Sequence, residues 1–223
     1  MQKSNENVTP CVTGELIDGA AEEVALEPAS TGTRIATMIG VGLPFAGFIT
    51  AIVMLWGRGF DLLHGGLFLG MYVITAVGVT VGYHRYFTHR AFRTTRGVEC
   101  MLAIFGAMAL EGPVLKWAAM HRFHHQHSDK PEDPHSPHFQ HDADDHDGHA
   151  HGFMGVMRGF VHAHMGWMFL PDPKDLHRYV PDLSTDRMLR VISNLWVVWA
   201  VLGMVIPGVV AGLITHSWMG ALL

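Results

Sequence analysis

Cysteine occurs only twice in 223 residues, as Cys11 in a polar stretch and Cys100 in an apolar one. Two such residues make neither a disulfide framework nor a zinc knuckle, and both read as free thiols. Charge is scarce as well: 16% of residues are Asp, Glu, Lys or Arg, and the formal net charge is −5. Without a basic face to hold a phosphate backbone, nothing points to nucleic-acid binding. The N-terminal residues also lack a basic stretch followed by an apolar run, which argues against a cleaved signal peptide. Residues 1–33 are instead polar and acidic, the composition of a disordered tail.

Long apolar runs are what the chain does have. Its hydrophobic fraction is 49%, concentrated in segments nearly free of charge. Residues 35–56 and 62–83 each approach the roughly 20 helical residues that cross a hydrocarbon core of about 30 Å. Pro44 and the glycines in the first run are tolerated in membrane helices. Residues 98–110 are apolar but short, and Glu111-Gly112-Pro113 interrupts them. They suit a re-entrant or interfacial helix, or one buried against its neighbours. Residues 117–127 read as a helix. Residues 128–152 are polar, and 153–170 are amphiphilic, with Trp167 suited to the membrane interface. A polar connector, 171–190, leads to a third span at 191–215, where Pro207 is placed to kink it. The expected fold is all-α, an integral membrane helical bundle over residues 34–223.

Arg85, Arg90, Arg93 and Arg96 follow the second run, and Lys174, Arg178, Arg187 and Arg190 precede the third. The positive-inside rule puts both regions in the cytoplasm, together with the N-terminus beside Arg34.

Two histidine boxes fall in that cytoplasmic portion. The first, His84-Arg85-Tyr86-Phe87-Thr88-His89, follows the second apolar run directly. The second is His121-Arg122-Phe123-His124-His125, with His127 beyond it. Imidazole ligates iron, copper and zinc well. On a helix, His121 and His125 share a face one turn apart while His124 points to the other side, so the box can serve two metals. His84 and His89 are five apart, roughly 140° around an ideal helix. They converge on one ion only if the helix ends or distorts between them. His64, His177 and His216 read as lone solvated or hydrogen-bonded side chains. His162 and His164, beside Trp167, read as interface residues. His135 and His138 belong to the polar loop, and the Asp/His-rich segment 141–151 reads as a solvated insertion.

The boxes strongly resemble those of the membrane fatty-acid desaturases, in the acyl-CoA, stearoyl-CoA-type delta-9 branch. The likeness runs through Gly82-Tyr83-His84-Arg85-Tyr86-Phe87-Thr88-His89-Arg90 and through Trp117 to His125. It continues through Asp129, Asp133-Pro134-His135 and His164-Met165-Gly166-Trp167, and covers roughly residues 35–223. The resemblance implies a di-iron centre, with His84, His89, His121 and His125 on one iron and His124 on the other. It implies activation of O2 and removal of two hydrogens from adjacent methylenes of a saturated acyl chain, giving a cis double bond. The substrate would be a fatty acyl-CoA or acyl-lipid, and electrons would come from cytochrome b5, ferredoxin or a related carrier. Trp117, four residues before His121, would lie against the acyl chain, or in the plainer reading would simply pack at the interface. The arginines after the first box could meet the phosphates of a CoA headgroup or serve as membrane-anchoring charges.

The chemistry agrees with the resemblance. An unactivated methylene offers acid–base catalysis nothing to act on, so a redox cofactor is needed, and zinc has no redox chemistry. The family's third box, of the type His-x-x-His-His, and its upstream Asn and His do not occur before Leu223. The expectation is a C-terminally incomplete fragment or half of a split protein, unable to complete a di-iron site alone. Two rivals remain open. One is a membrane alkane or fatty-acid hydroxylase with similar boxes, which would give an alcohol. The other is a divalent-metal transporter, although transporters place ligands at mid-membrane in broken helices and these histidines lie at helix ends.

Overall fold

The structure, a computed structural model, describes residues 26–27, 31–56, 62–128, 133, 136, 152–169, 172–173 and 175–218. Most of the expected tail, Asp129, His135, His138, the 141–151 segment and Lys174 lie outside the described residues. Among the described residues, three helices are long and apolar enough to cross a membrane: Arg34–Met54, Leu62–Thr88 and Trp196–Thr215. The first belongs to α1 (Thr31–Leu55), which carries Pro44 inside it. Its side chains Met38, Leu43, Phe45 and Val53 are all exposed. Such a surface is a liability in water and is at home in lipid.

The second span is composite. α2 (Leu62–Val77) runs without a break into an 11-residue π-helical segment, Gly78–Thr88. α3 (Arg96–Met108) packs on that segment and on the third span, Trp196–Thr215, burying Leu102, Ala103 and Ala107. Of the readings open for this short helix, burial is the one observed. Glycine makes the approach close enough. A Cβ on Gly78 would stand 2.2 Å from the Gly106 backbone nitrogen, and one on Gly106 would stand 2.3 Å from the Tyr83 ring. α4 (Val114–His127) starts just after Pro113 and buries Val114, Ala118, Ala119, Met120 and Phe123. Its histidines all fall in its second half.

The segment expected to be a connector has structure of its own. A 3-10 turn at Leu176–Tyr179 leads to α6 (Pro181–Ser184) and α7 (Arg187–Asn194). Tyr179, Val180, Leu183, Leu189 and Ile192 join Tyr83, Phe87, Leu102 and Phe123 in one core cluster. The Asp186 carboxylate caps α7, accepting from the backbone nitrogens of Met188 at 2.8 Å and Leu189 at 3.2 Å. α7 is amphipathic, with Arg187 and Arg190 exposed and Leu189 and Ile192 buried. The third span therefore begins at Trp196, as α8 (Trp196–Thr215), rather than at residue 191. Leu195, in a non-helical conformation, separates the two. Ser193 and Asn194 mark the change from core helix to membrane-length helix within the run 191–215.

α5 (Gly152–His164) leaves Phe153, Met154, Val156, Phe160 and Val161 exposed, and the 3-10 turn Gly166–Phe169 that follows it touches α1. This fits the interfacial role expected for 153–170. Leu26–Glu27, from the expected tail, pairs antiparallel with Asp172–Pro173, and these are the only strands among the described residues.

The glycine contacts are testable. Gly78→Ala and Gly106→Ala each force backbone or ring displacement, so each should cost about 1–3 kcal/mol. Gly47→Ala, with nothing within 4 Å of its added Cβ, should be neutral. Unfolding temperatures in detergent check the contrast.

Candidate metal centre

The first box owes its geometry to the π segment. Hydrogen bonds from residue i to i+5 widen the turn, so residues five apart stack on one side. The His89 backbone nitrogen donates to the His84 carbonyl at 3.1 Å, and the Thr88 hydroxyl donates to the Tyr83 carbonyl at 2.9 Å. The two imidazole Nε2 atoms consequently lie 3.1 Å apart. The distortion that the five-residue spacing demanded is present, and it takes this form. Arg90, at φ 53°, turns the chain out of the helix.

The second box uses the ordinary α-helical period. His121 and His125 are one turn apart on α4, with Nε2 atoms separated by 3.2 Å. α4 lies against the π segment, so His84 faces His121 at 4.7 Å between ring centroids and His89 faces His125 at 4.8 Å. One ligand nitrogen from each of the four rings lies within 4.8 Å of all the others. Two imidazole nitrogens bound at right angles to one ion, each at about 2.1 Å, stand about 3.0 Å apart. The observed pairs match that spacing, so the donor set fits a first-row transition metal.

Electrostatics keep the donors ready. Burial, reinforced by neighbouring imidazoles led by His125 and His84, pushes His121 down to about 3. Burial, then His84, His125 and Arg122, lowers His89 as well. Both rings are neutral at pH 7 and keep the lone pair that a metal takes. His84 and His121 are half-buried, while His89 and His125 are exposed, so the quartet opens outward.

Trp117 forms one wall. Its ring stacks on His121 at 4.8 Å with a 21° interplanar angle and meets Tyr83 at 5.5 Å. Its indole N–H points to the Glu111 carboxylate at 3.4 Å. His124 stands outside the quartet. Its Nδ1 is 2.7 Å from the carboxylate of Asp133, which is only 2% exposed. Such a partner fixes a ring and leaves Nε2 as the donor for an ion, an arrangement common behind histidine ligands. His127 stacks on Phe123 at 4.2 Å and bonds its backbone carbonyl, a packing role.

Sequence reasoning missed the surrounding ion pairs. Arg122 donates to the carbonyls of Phe87 (2.8 Å), Thr88 (3.1 Å) and Tyr179 (2.8 Å), and to both Asp182 oxygens. Arg90 donates to Asp182 at 2.7 Å. Burial pushes the Asp182 carboxyl up, but hydrogen bonds from Arg122 and Arg90 outweigh it and hold the group at about 2. Arg96 bridges Glu99 at 2.7 Å and Asp186 at 2.6 Å. Arg90 and Arg96, open to a headgroup or anchoring role on sequence, are thus engaged within the protein. Arg85 and Arg93 are exposed, with no ion pair among the described residues.

The lowered His121 sets a pH dependence. Its folded value, about 3, lies below the ordinary 6.5, so the folded state binds fewer protons than the unfolded one. Metal-free protein should be at full stability above pH 6.5 and lose stability progressively as pH falls toward 3. His121→Gln should flatten that slope in unfolding temperatures measured between pH 7.5 and 5.

Residues 60–223, which include every box histidine, match the family described as fatty acid desaturase. Over 179 residues the chain is 41% identical to the hex-5-enoyl-[acyl-carrier protein] acetylenase of Moorena producens, covering 80% of this chain and 54% of that protein. It is 31% identical over 145 residues to the sn-1 stearoyl-lipid 9-desaturase of Synechocystis sp., covering 63% and 40%. It is 29% identical over 188 residues to acyl-CoA desaturase 1 of Saccharomyces cerevisiae, covering 82% and 32%. The chain spans about half or less of the length of these relatives. With histidine boxes converging at the end of a membrane-length helix and a family match over most of its residues, this chain belongs to the fatty acid desaturase family.

Proposed function

We propose that the chain carries the metal-binding portion of an O2-dependent, di-iron membrane desaturase acting on fatty acyl chains. The observation that supports this reading most is the imidazole quartet, His84, His89, His121 and His125, whose ligand nitrogens lie within 4.8 Å of one another. These four residues hold one iron and His124, oriented by Asp133, holds the other. Iron with O2 supplies the oxidising power that an unactivated methylene requires and that acid–base side chains lack. In balance, two C–H bonds break and one C=C bond forms. O2, with two electrons and two protons from an external donor, leaves as two waters.

The chain's own residues do the positioning. His121 and His89 stay neutral and therefore ligate without first losing a proton. Trp117 holds the His121 ring by stacking and offers its remaining surface to the acyl chain. The membrane domain comprises residues 34–223, with both boxes and the N-terminus on the cytoplasmic side. There a cytochrome b5, ferredoxin or related donor delivers electrons, and the substrate is a fatty acyl-CoA or acyl-lipid. The relatives above are named for acyl groups on a carrier protein, a lipid and CoA, and the acyl chain is what these share. A second reading is favoured by the 41% identity to a protein named an acetylenase: hydrogens leave an existing double bond, giving an alkyne from the same centre. The metal-transporter reading gains no support, because the quartet is built at a helix end and on a helix that does not span.

Product analysis decides among these. Full-length protein with a suitable electron donor should yield an alkene from a saturated chain, an alkyne if the acetylenase reading holds, and an alcohol only if a hydroxylase is at work. His121→Ala or His125→Ala should lower product and bound iron on the order of 100-fold, beyond the 10–100-fold typical of residues behind the ligands. Unchanged iron and product in both variants would count against the reading.

A further inference from the structure

We infer that Arg122 is a positioning residue for the metal centre, holding the π-helical end of the first box from its place inside the second. The inference rests on the quartet being a metal site. A π turn exposes carbonyls at its end that find no partner within the helix. Arg122 supplies partners for two of them, Phe87 and Thr88, at 2.8 and 3.1 Å. Phe87 and Thr88 are themselves buried, so water is a poor substitute.

The placement matters because Arg122 adjoins His121 on α4. Its bonds therefore tie the helix bearing one ligand pair to the turn bearing the other. Asp182 and the Tyr179 carbonyl hold the opposite side of the guanidinium, at 2.7 and 2.8 Å. Arg90, just past the turn, pairs with the same carboxylate, so the chain's exit is fixed at a second point. If the turn relaxed to the α-helical register, His84 and His89 would diverge by roughly 140° and could not both face α4. Only a planar fork reaches this many acceptors at once, so lysine is a poor replacement.

Arg96 provides the internal comparison. Its bonds to Glu99 and Asp186 are as short, at 2.7 and 2.6 Å, but they reach no carbonyl of either box. Cobalt(II) is the probe, titrated into the purified 223-residue chain in detergent and followed by its visible absorption. Arg122→Gln should weaken cobalt binding about 10–100-fold, as loss of a residue supporting metal ligands does. Arg96→Gln should stay within about threefold, because Arg96 touches neither box even though its loss removes a partner of the buried Glu99. In metal-free protein, the amides of His89, Arg90 and Ala91 should exchange about tenfold faster in Arg122→Gln and remain unchanged in Arg96→Gln.

Wild-type cobalt affinity and exchange in Arg122→Gln would overturn the inference. So would an equal loss of affinity in Arg96→Gln, which would reduce the effect to general destabilisation. If Arg122→Gln does not fold, Arg122→Lys takes its place, with about a three- to tenfold loss expected, below the usual range for such partners because one charged donor remains; no loss overturns the inference. If wild-type protein binds no cobalt, the metal reading fails by itself, and the amide-exchange comparison still decides whether Arg122 holds the turn.

Discussion

The candidate metal centre depends on one departure from α-helical geometry, the wide turn that closes the second membrane helix. In an α-helix, His84 and His89 would look in different directions. In the i to i+5 register their Nε2 atoms come within 3.1 Å, and both face α4. The turn is an unusual conformation and needs support from outside itself. Some of it is local, as in the bond from the Thr88 hydroxyl to the Tyr83 carbonyl. Some comes from packing, because glycine at 78 and 106 lets α3 lie directly against the segment. A buried carbonyl left without a partner costs about 1–3 kcal/mol, and at Phe87 and Thr88 the Arg122 guanidinium removes that penalty.

α4 has two faces with separate duties. Ala119, Met120 and Phe123 anchor one face in the core, Val114 and Ala118 are buried at the start of the opposite side, and His121 and His125 follow them one and two turns farther along that side. Trp117 joins the two duties, touching Tyr83 in the core and stacking on the His121 ring. Helices α3, α6 and α7, none of them spanning, build the platform beneath the boxes, whereas α1 and α8 turn apolar side chains outward. The quartet is thereby held at the end of a membrane-length helix.

The histidine boxes and the spanning runs were legible in the sequence because each has a local signature. Four residues between His121 and His125 is one helical turn, and twenty apolar residues is one bilayer crossing. The spacing of His84 and His89 announced that a distortion was needed, but not which one, since no local pattern marks a π turn. The break at Leu195 was missed because Val191 and Ile192 were counted with the apolar run of α8, although Ser193 and Asn194 separate them from it and α7 faces the core. Arg90 and Arg96 were read as headgroup-binding or anchoring charges, and Arg122 only as part of its box, because charge counting ignores partners. Their carboxylates, Asp182 and Asp186, lie 60 or more residues away in sequence, a distance no periodicity bridges.

Membership in the fatty acid desaturase family gives the quartet its chemical setting, and the geometry states which imidazoles belong together. The claim beneath both is that rings from two helices share one ion. X-ray absorption at the iron edge of the iron-loaded chain measures this most directly. The expected spectrum shows a first shell of nitrogens near 2.1 Å with strong outer scattering from several imidazole rings, diminished in His89→Ala. A shell of oxygens without ring scattering, unaltered in His89→Ala, would contradict the account.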